Sequence, residues 1–379
     1  MPEAVIVRAL RTPIGTAGKG TLRDTSAYDL ADHIVSAAAK GLDPVGVDDV
    51  VLGEGLYGGG VIARHAALTA GLTSIPGAAV NRHCAAGLAA VEHAAASIRS
   101  GMDELVIAGG VNSASTGPRS RRRMDGEWSD WYPPTHPNRP DAPNFDMSYT
   151  IGWNTAVAEK ISREDMDAWA LRSHRNAVRA IDEGRFEAET VPIGTPHGLF
   201  SVDEHPRRDT SLEKLAALKP LHPEIEGFSI TAGNACGGND AAAALVVASD
   251  RLGLPALATV RAWASVGVDP AETGMAPALA IPKALARAGL SLDDVDLFEI
   301  NEAFASMCVA VVRRLALDPD RVNVNGSGIS LGHPVAATGA RMLVTLVHEL
   351  RRRGGGVGVA AMCAGGGMAS AMVVEVAGR

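Results

Sequence analysis

Four cysteines, at positions 84, 236, 308 and 363, are the strongest nucleophiles in this 379-residue chain, and their surroundings sort them. Cys84 sits in VNRHCAAGLAA, where a strand-like run gives way to a helical pattern. A thiol at a helix start feels the positive end of the peptide dipoles, which favours thiolate. Ala85, Ala86 and Gly87 keep its surroundings small enough for an electrophile to approach, although a buried structural cysteine fits the same pattern. Cys363 follows VGVAAM and precedes Gly365, Gly366 and Gly367. A thiol at a strand end can move a proton, and a glycine loop exposes N–H groups to an oxyanion. A core position fits it equally.

His333 lies in NGSGISLGHPVAATGAR, where Pro334 suits the first turn of a helix. Asn301, in FEINEAFA, is expected to begin a helix after a strand, either as an N-cap or as a donor that fixes a water or a carbonyl oxygen. Cys308 shares a helical face with Phe304, Val311 and Leu315, the pattern of a core residue. Cys236, in TAGNACGGND, stands beside a glycine-rich turn suited to approaching a ligand.

The elements that position these residues are duplicated. VIVRALRTPIG resembles ATVRAWASVGV, with Arg8 and Arg261 separated by 253 positions. AAAKGLDPVGVDDVVLGEG resembles ALARAGLSLDDVDLFEINE, with Gly41 and Gly289 separated by 248. NRHCAAGLAAVEHAAASI runs parallel to GHPVAATGARMLVTLVHEL, with Cys84 and His333 separated by 249. A pseudo-twofold would therefore bring Cys84 and His333 to one interface between the halves. Each half reads as strand, helix, strand, helix, strand, which predicts strands at 5–7, 50–52 and 105–108 and helices over 27–40 and 84–100. Such alternation implies an α/β fold with a mostly parallel sheet. LVIAGGVNS meets its partner run AAAALVVAS only after more than a hundred residues, so the stretch 116–234 reads as an insertion between adjacent strands. Long insertions at strand ends often carry binding function.

Composition narrows the classes. A net charge of −8 argues against nucleic-acid binding, and no apolar stretch approaches membrane-spanning length. The cysteines form neither a CxxC pair nor a disulfide framework, which suits a reducing compartment. MPEAVIVRALRTPIG is unlike a secretory leader and the chain closes on AGR, so a cytoplasmic location is expected. His83, Cys84, His333 and Cys363 lack metal-like spacing, and no metal is expected.

VIVRALRTPIG, NRHCAAGLAA, TAGNACGGND, FEINEAFA, GHPVAATGAR and MCAGGGMA together, in order and across nearly the whole chain, resemble the thiolases. The resemblance implies two similar βαβαβαββ halves in a five-layered αβαβα core. The first would comprise 1–115 with 235–255, the second 256–379, and the insertion 116–234 would be a loop domain for coenzyme A and oligomer contacts. It implies Cys84 as the acyl-accepting nucleophile and Cys363 as the acid/base at the acetyl-CoA α-carbon. His333 would activate Cys84 and form one oxyanion hole with a water held by Asn301. The N–H groups of Cys84 and Gly365 would form the other. Ser229, Cys236, Met275 and Arg207, the last in DEHPRRD, would contact CoA. CoA and acyl-CoA would be substrates, with no cofactor, in a homodimer or homotetramer. The activity implied is thiolysis of 3-ketoacyl-CoA or the reverse Claisen condensation, including the acetoacetyl-CoA-forming biosynthetic version. An inactive CoA-binding scaffold and a decarboxylating or hydroxymethylglutaryl-type synthase are the rivals. Ala85 and Ala86 replace the small polar residues common after the nucleophile, Cys236 replaces a serine, TGMAP replaces a glycine-richer stretch, and MSYTIGWN stands for the usual M-G-x-T-x-E-N.

Overall fold

The computed structural model describes residues 1–55, 60–196 and 198–378. The first repeat runs β1 (Ala4–Arg11), α1 (Ala27–Ala39), β2 (Asp49–Gly53), α2 (Ile62–Thr69), β3 (Gly77–Val80), α3 (Ala86–Ser100) and β4 (Leu105–Ser113). The chain then makes two small hairpins and α4 (Arg163–Asp182) before returning as β5 (Asn239–Ser249). The second repeat runs β6 (Ala258–Gly267), α5 (Pro277–Ala288), β7 (Leu297–Ile300), α6 (Ala305–Arg314), α7 (Thr338–Arg353), β8 (Gly356–Ala364) and β9 (Met368–Val376). Where the first half has β3, the second keeps a single parallel bridge from Phe298 to Val322.

The strands join in the order β7-β8-β9-β6-β1-β5-β4-β2-β3, and the halves meet where Val5 and Ile6 of β1 face Thr259 and Ala258 of β6. The expected mostly parallel sheet is corrected to a mixed one. β2 runs parallel to β3 and β4, and β7 to β8, but the other pairings along this order are antiparallel. The physical reason is that each half ends in two neighbouring strands with no crossover helix between them. β4 and β5 pair from Leu105–Ala248 to Ser113–Asp240, so the intervening chain leaves and returns at one sheet end.

Five layers are held together by three apolar clusters, the middle one reaching both half-sheets. Leu30, Ile34, Ile62 and Ala66 of α1 and α2 cover one side of the first half-sheet, with Val50, Leu52 and Ile107. Ile281 and Leu285 of α5 and Met307 and Val311 of α6 cover one side of the second. Between the half-sheets, Leu88 and Val91 of α3 pack with Leu343 and Val347 of α7. These central helices touch backbone to backbone. A Cβ on Gly87 would fall 2.7 Å from the Ala336 carbonyl oxygen, and one on Gly339 would fall 2.5 Å from the Leu88 nitrogen. Only glycine allows that approach from either side. Cys84 and His333 stand just ahead of these two helices.

The insertion is tied down by charge. Arg11 of β1, fully buried, gives Nε–H to Glu189 at 2.5 Å and both Nη groups to Asp203 at 2.8 and 2.9 Å. Desolvation alone would lower its pKa, but the two carboxylates more than compensate and hold the guanidinium charged.

Candidate active site

Cys84 lies one residue before the N-cap Ala85 of α3, on a turn whose preceding residue, His83, adopts φ 46°. The Asn81 side chain accepts the His83 N–H at 2.8 Å and fixes that turn. The residue is half-buried, and the backbone N–H of Gly365, in the turn between β8 and β9, is near enough to favour negative charge on its sulfur. The expectation of a helix-favoured thiolate is corrected. Burial raises the Cys84 pKa, and the Gly365 N–H and its own N–H offset this only in part. At rest Cys84 is a thiol.

His333 is buried, and its ring is aimed by two contacts that sequence reading missed. Its backbone N–H donates to the Asn239 side chain at 2.9 Å, just where β5 begins. Gly332, at φ 107°, permits this: a Cβ there would lie 2.5–2.7 Å from the Asn239 amide group. Its Nδ1 lies 2.7 Å from the Thr338 hydroxyl, which itself donates to the Pro334 carbonyl at 2.9 Å. Having spent its one proton there, the hydroxyl must accept from Nδ1–H, which leaves the lone pair on Nε2. Burial, reinforced by the nearby Arg341 cation, pushes the His333 pKa down to about 3, so the ring is neutral. Pro334 was expected inside the first turn of a helix. It lies instead in the turn ahead of α7, its carbonyl taking the Ala337 and Thr338 N–H groups.

Asn301 follows β7 directly, while α6 begins at Ala305 with Phe304 as N-cap. The N-cap reading of Asn301 is therefore corrected, because three residues of loop intervene. Its Nδ2 stands 3.5 Å from both ring nitrogens of His333, the outer limit of a hydrogen bond. Its Oδ1 is buried with no partner among the described residues, an acceptor at a costly position that suits a ligand or water proton.

Cys363 is the penultimate residue of β8, fully buried, its S–H directed at Met307 Sδ at 3.4 Å. Burial holds its thiol well above the usual range, and the neighbouring thiolates of Cys84 and Cys236 would raise it further. Cys236 donates its N–H to the Ala303 carbonyl in FEINEAFA at 3.0 Å, and burial pushes its thiol up to about 12. Cys308 sits in the core on α6, as its helical spacing predicts. Three of the four thiols thus gather at one place, from the ends of α3, β8 and the segment before β5.

A cavity of about 470 Å³ leads away from this cluster. Cys236, Gly237 and Gly238 form one end, and Gly238 bridges to His333. Leu215 and Leu218 line it, as do Lys19, Arg207, and Lys214 in an ion pair with Asp209 at 2.7 Å. His174 and His205 line it too, both pushed down to about 4 by burial first and by Arg207, so they add no charge near neutrality. Ser229 is half-buried, its carbonyl taking the Asn234 side-chain N–H at 3.1 Å. Met275 is not brought to this cavity; it lines a separate one of about 470 Å³ with Asn154, Leu279 and Arg314. Within MSYTIGWN, Ser148–Trp153 form a π-helical turn. Among the described residues no group of three or more His, Cys, Asp or Glu side chains could hold a metal ion. No described helix is long and apolar enough to cross a membrane.

A duplicated α/β core with three free thiols and a neutral histidine gathered at the seam between its halves is an arrangement suited to acyl transfer. The thiolase N-terminal domain model matches residues 4–251 and the thiolase C-terminal domain model residues 254–376. The chain is 40% identical to a 3-ketoacyl-CoA thiolase of Bacillus subtilis, over 99% of this chain and 100% of the relative. It is 40% identical to an acetyl-CoA acetyltransferase of Escherichia coli, over 99% of each. The crystal structure of the Bacillus anthracis acetyl-CoA acetyltransferase superposes with a TM-score of 0.92 at 41% identity, covering 100% of this chain and 99% of that one. Human mitochondrial 3-ketoacyl-CoA thiolase in complex with CoA gives 0.91 at 35% identity, over 99% and 98%. The chain belongs to the thiolase family of acyltransferases.

Proposed function

We propose that this protein cleaves 3-ketoacyl-CoA with CoA, or runs the reverse condensation, through an acyl group on Cys84. In cleavage, His333 Nε2 takes the Cys84 proton as the sulfur attacks the 3-keto carbon. The C2–C3 bond then breaks, and its electron pair passes to the departing acetyl-CoA as an enolate. The Cys363 S–H protonates that carbon, giving acetyl-CoA and a Cys363 thiolate. The thiolate takes the proton of incoming CoA, whose sulfur attacks acyl-Cys84; the S–C bond to Cys84 breaks, the His333 imidazolium returns its proton to the departing Cys84 sulfur, and the shortened acyl-CoA is released. His333, with a water held on Asn301, stabilises one oxyanion, and the Cys84 and Gly365 N–H groups the other. The observation that carries this reading is the convergence on one seam of Cys84, Cys236 and Cys363 with His333, whose ring Asn301 Nδ2 meets at 3.5 Å and which Gly238 bridges. The same residues serve the acetoacetyl-CoA-forming direction.

The insertion 116–234 supplies much of the CoA site, with Arg207 towards the nucleotide and Cys236 beside the pantetheine arm; Ser229 braces the turn before Cys236. Met275, in its separate cavity, is left outside this set. CoA and acyl-CoA are the only small molecules required. The protein is a cytoplasmic homodimer or homotetramer.

Isotope exchange separates the two cysteines. In Cys363→Ala, acyl transfer from acyl-CoA to Cys84 survives, while the α-protons of acetyl-CoA stop exchanging with deuterated water. In Cys84→Ala no acyl-enzyme forms, and thiolysis falls by roughly three or more orders of magnitude. Wild-type exchange in Cys363→Ala would remove Cys363 as the base.

A further inference from the structure

Past Arg207 the cavity gives onto a second groove of about 460 Å³ along the outer side of α4. His174, Arg207 and Thr210 line both, so the two spaces share a wall. Arg175 and Arg179, one helical turn apart on α4, line the groove, and Arg208 borders it.

The acids at this groove are already occupied. Asp182 accepts two bonds from Arg208 at 2.6 and 3.0 Å, and Glu183 is held by Arg185 at 2.7 Å. Arg179 gives an N–H to the Asn176 amide oxygen at 3.0 Å and not to a carboxylate. Among the described residues, Arg175 and Arg207 have no ion pair at all. Arg175, Arg179 and Arg207 therefore line one groove without a direct ion pair among the described residues, the nearby Asp209 being bound to Lys214 at 2.7 Å. Like charges four residues apart on a helix destabilise it by a few tenths of a kcal/mol, a cost with no structural return here. A phosphate dianion would offset it, and guanidinium forks match phosphate oxygens in pairs.

We propose that this groove receives the 3′-phosphate of the CoA nucleotide. Arg175 and Arg179 then select the 3′-phosphorylated carrier over its dephosphorylated form. The proposal rests on the reading of the Arg207 cavity as the CoA site, because the groove begins where that cavity meets the nucleotide.

Titration calorimetry of adenosine 3′,5′-bisphosphate and adenosine 5′-monophosphate against the full-length protein, at low ionic strength, tests it. Each exposed contact is modest, so the bisphosphate should bind about tenfold tighter, with a preference that shrinks as salt rises. In the double variant Arg175→Gln, Arg179→Gln, that preference should fall to roughly twofold or less. Arg179→Lys alone should keep most of it. Thermal unfolding of the double variant should be unchanged or raised, since like charges are removed. A full preference in the double variant, or none in the wild type, would overturn the groove assignment while leaving CoA turnover and the Arg207 reading intact. Failure of both nucleotides to bind would sink the Arg207 reading and the groove together.

Discussion

A neutral histidine and a protonated thiol make an unusual resting pair for a nucleophilic site, and the two buried environments enforce it. His333 sits below its ordinary value, at about 3, and Cys84 above its own. The sign is clear: lowering the pH from neutrality does not protonate His333 until far below the ordinary imidazole range. The proton moves only when the electrophile is in place, inside the attack itself. Pre-steady-state acylation of Cys84 should therefore be independent of pH between about 5 and 8. An acid limb near the ordinary imidazole value of about 6.5 would contradict a neutral resting His333. Cys84, His333 and Cys363 stand out in the sequence by type and glycine context. Thr338 and Asn239 do not, because their meaning depends on the turn at Pro334 and on the start of β5 lying against Gly332.

At the scale of elements, the site exists because α3 and α7 approach without side chains between them. Gly339→Ala would place a methyl carbon 2.5 Å from the Leu88 nitrogen and 2.7 Å from its Cβ, with backbone on one side and packed core on the other. Neither can yield without moving a helix, so we expect a loss of about 1–3 kcal/mol or more. Denaturant unfolding measures it; a change under about 0.5 kcal/mol would mean that the helices slide apart freely. Much of this layer was legible. The repeat offsets near 250 reappear in Gly87 and Gly339, which sit at matching places in α3 and α7. α2 and β3 escaped notice because the ARHAALTAGL and GAAV runs are short and small-residue rich, with weak periodicity. Sheet direction was misread because alternation of strands and helices is silent about the last two strands of each half, which neighbour each other directly.

Across the whole molecule, the insertion joins one half to the chemistry of both. Arg11 pins it through Glu189 and Asp203, and its cavity reaches Cys236, the thiol beside Cys84 and Cys363. Its placement between adjacent strands could be read from two separated apolar runs, but its π-helical turn and second groove could not, since both depend on how loops fold back. The proposed homodimer or homotetramer is open to direct test in solution. Light scattering at micromolar concentration should give at least twice the 39.1 kDa of one chain; a stable monomer would contradict that assembly.

The central claim is that Cys84, and no other thiol, carries the acyl group. The direct measurement is peptide mass spectrometry after brief incubation of the wild-type protein with acetyl-CoA and acid quenching. The acetyl group should be found on the peptide containing Cys84 and should disappear when free CoA is added before the quench. Stable label on Cys236 or Cys363 with Cys84 unmodified would contradict the account.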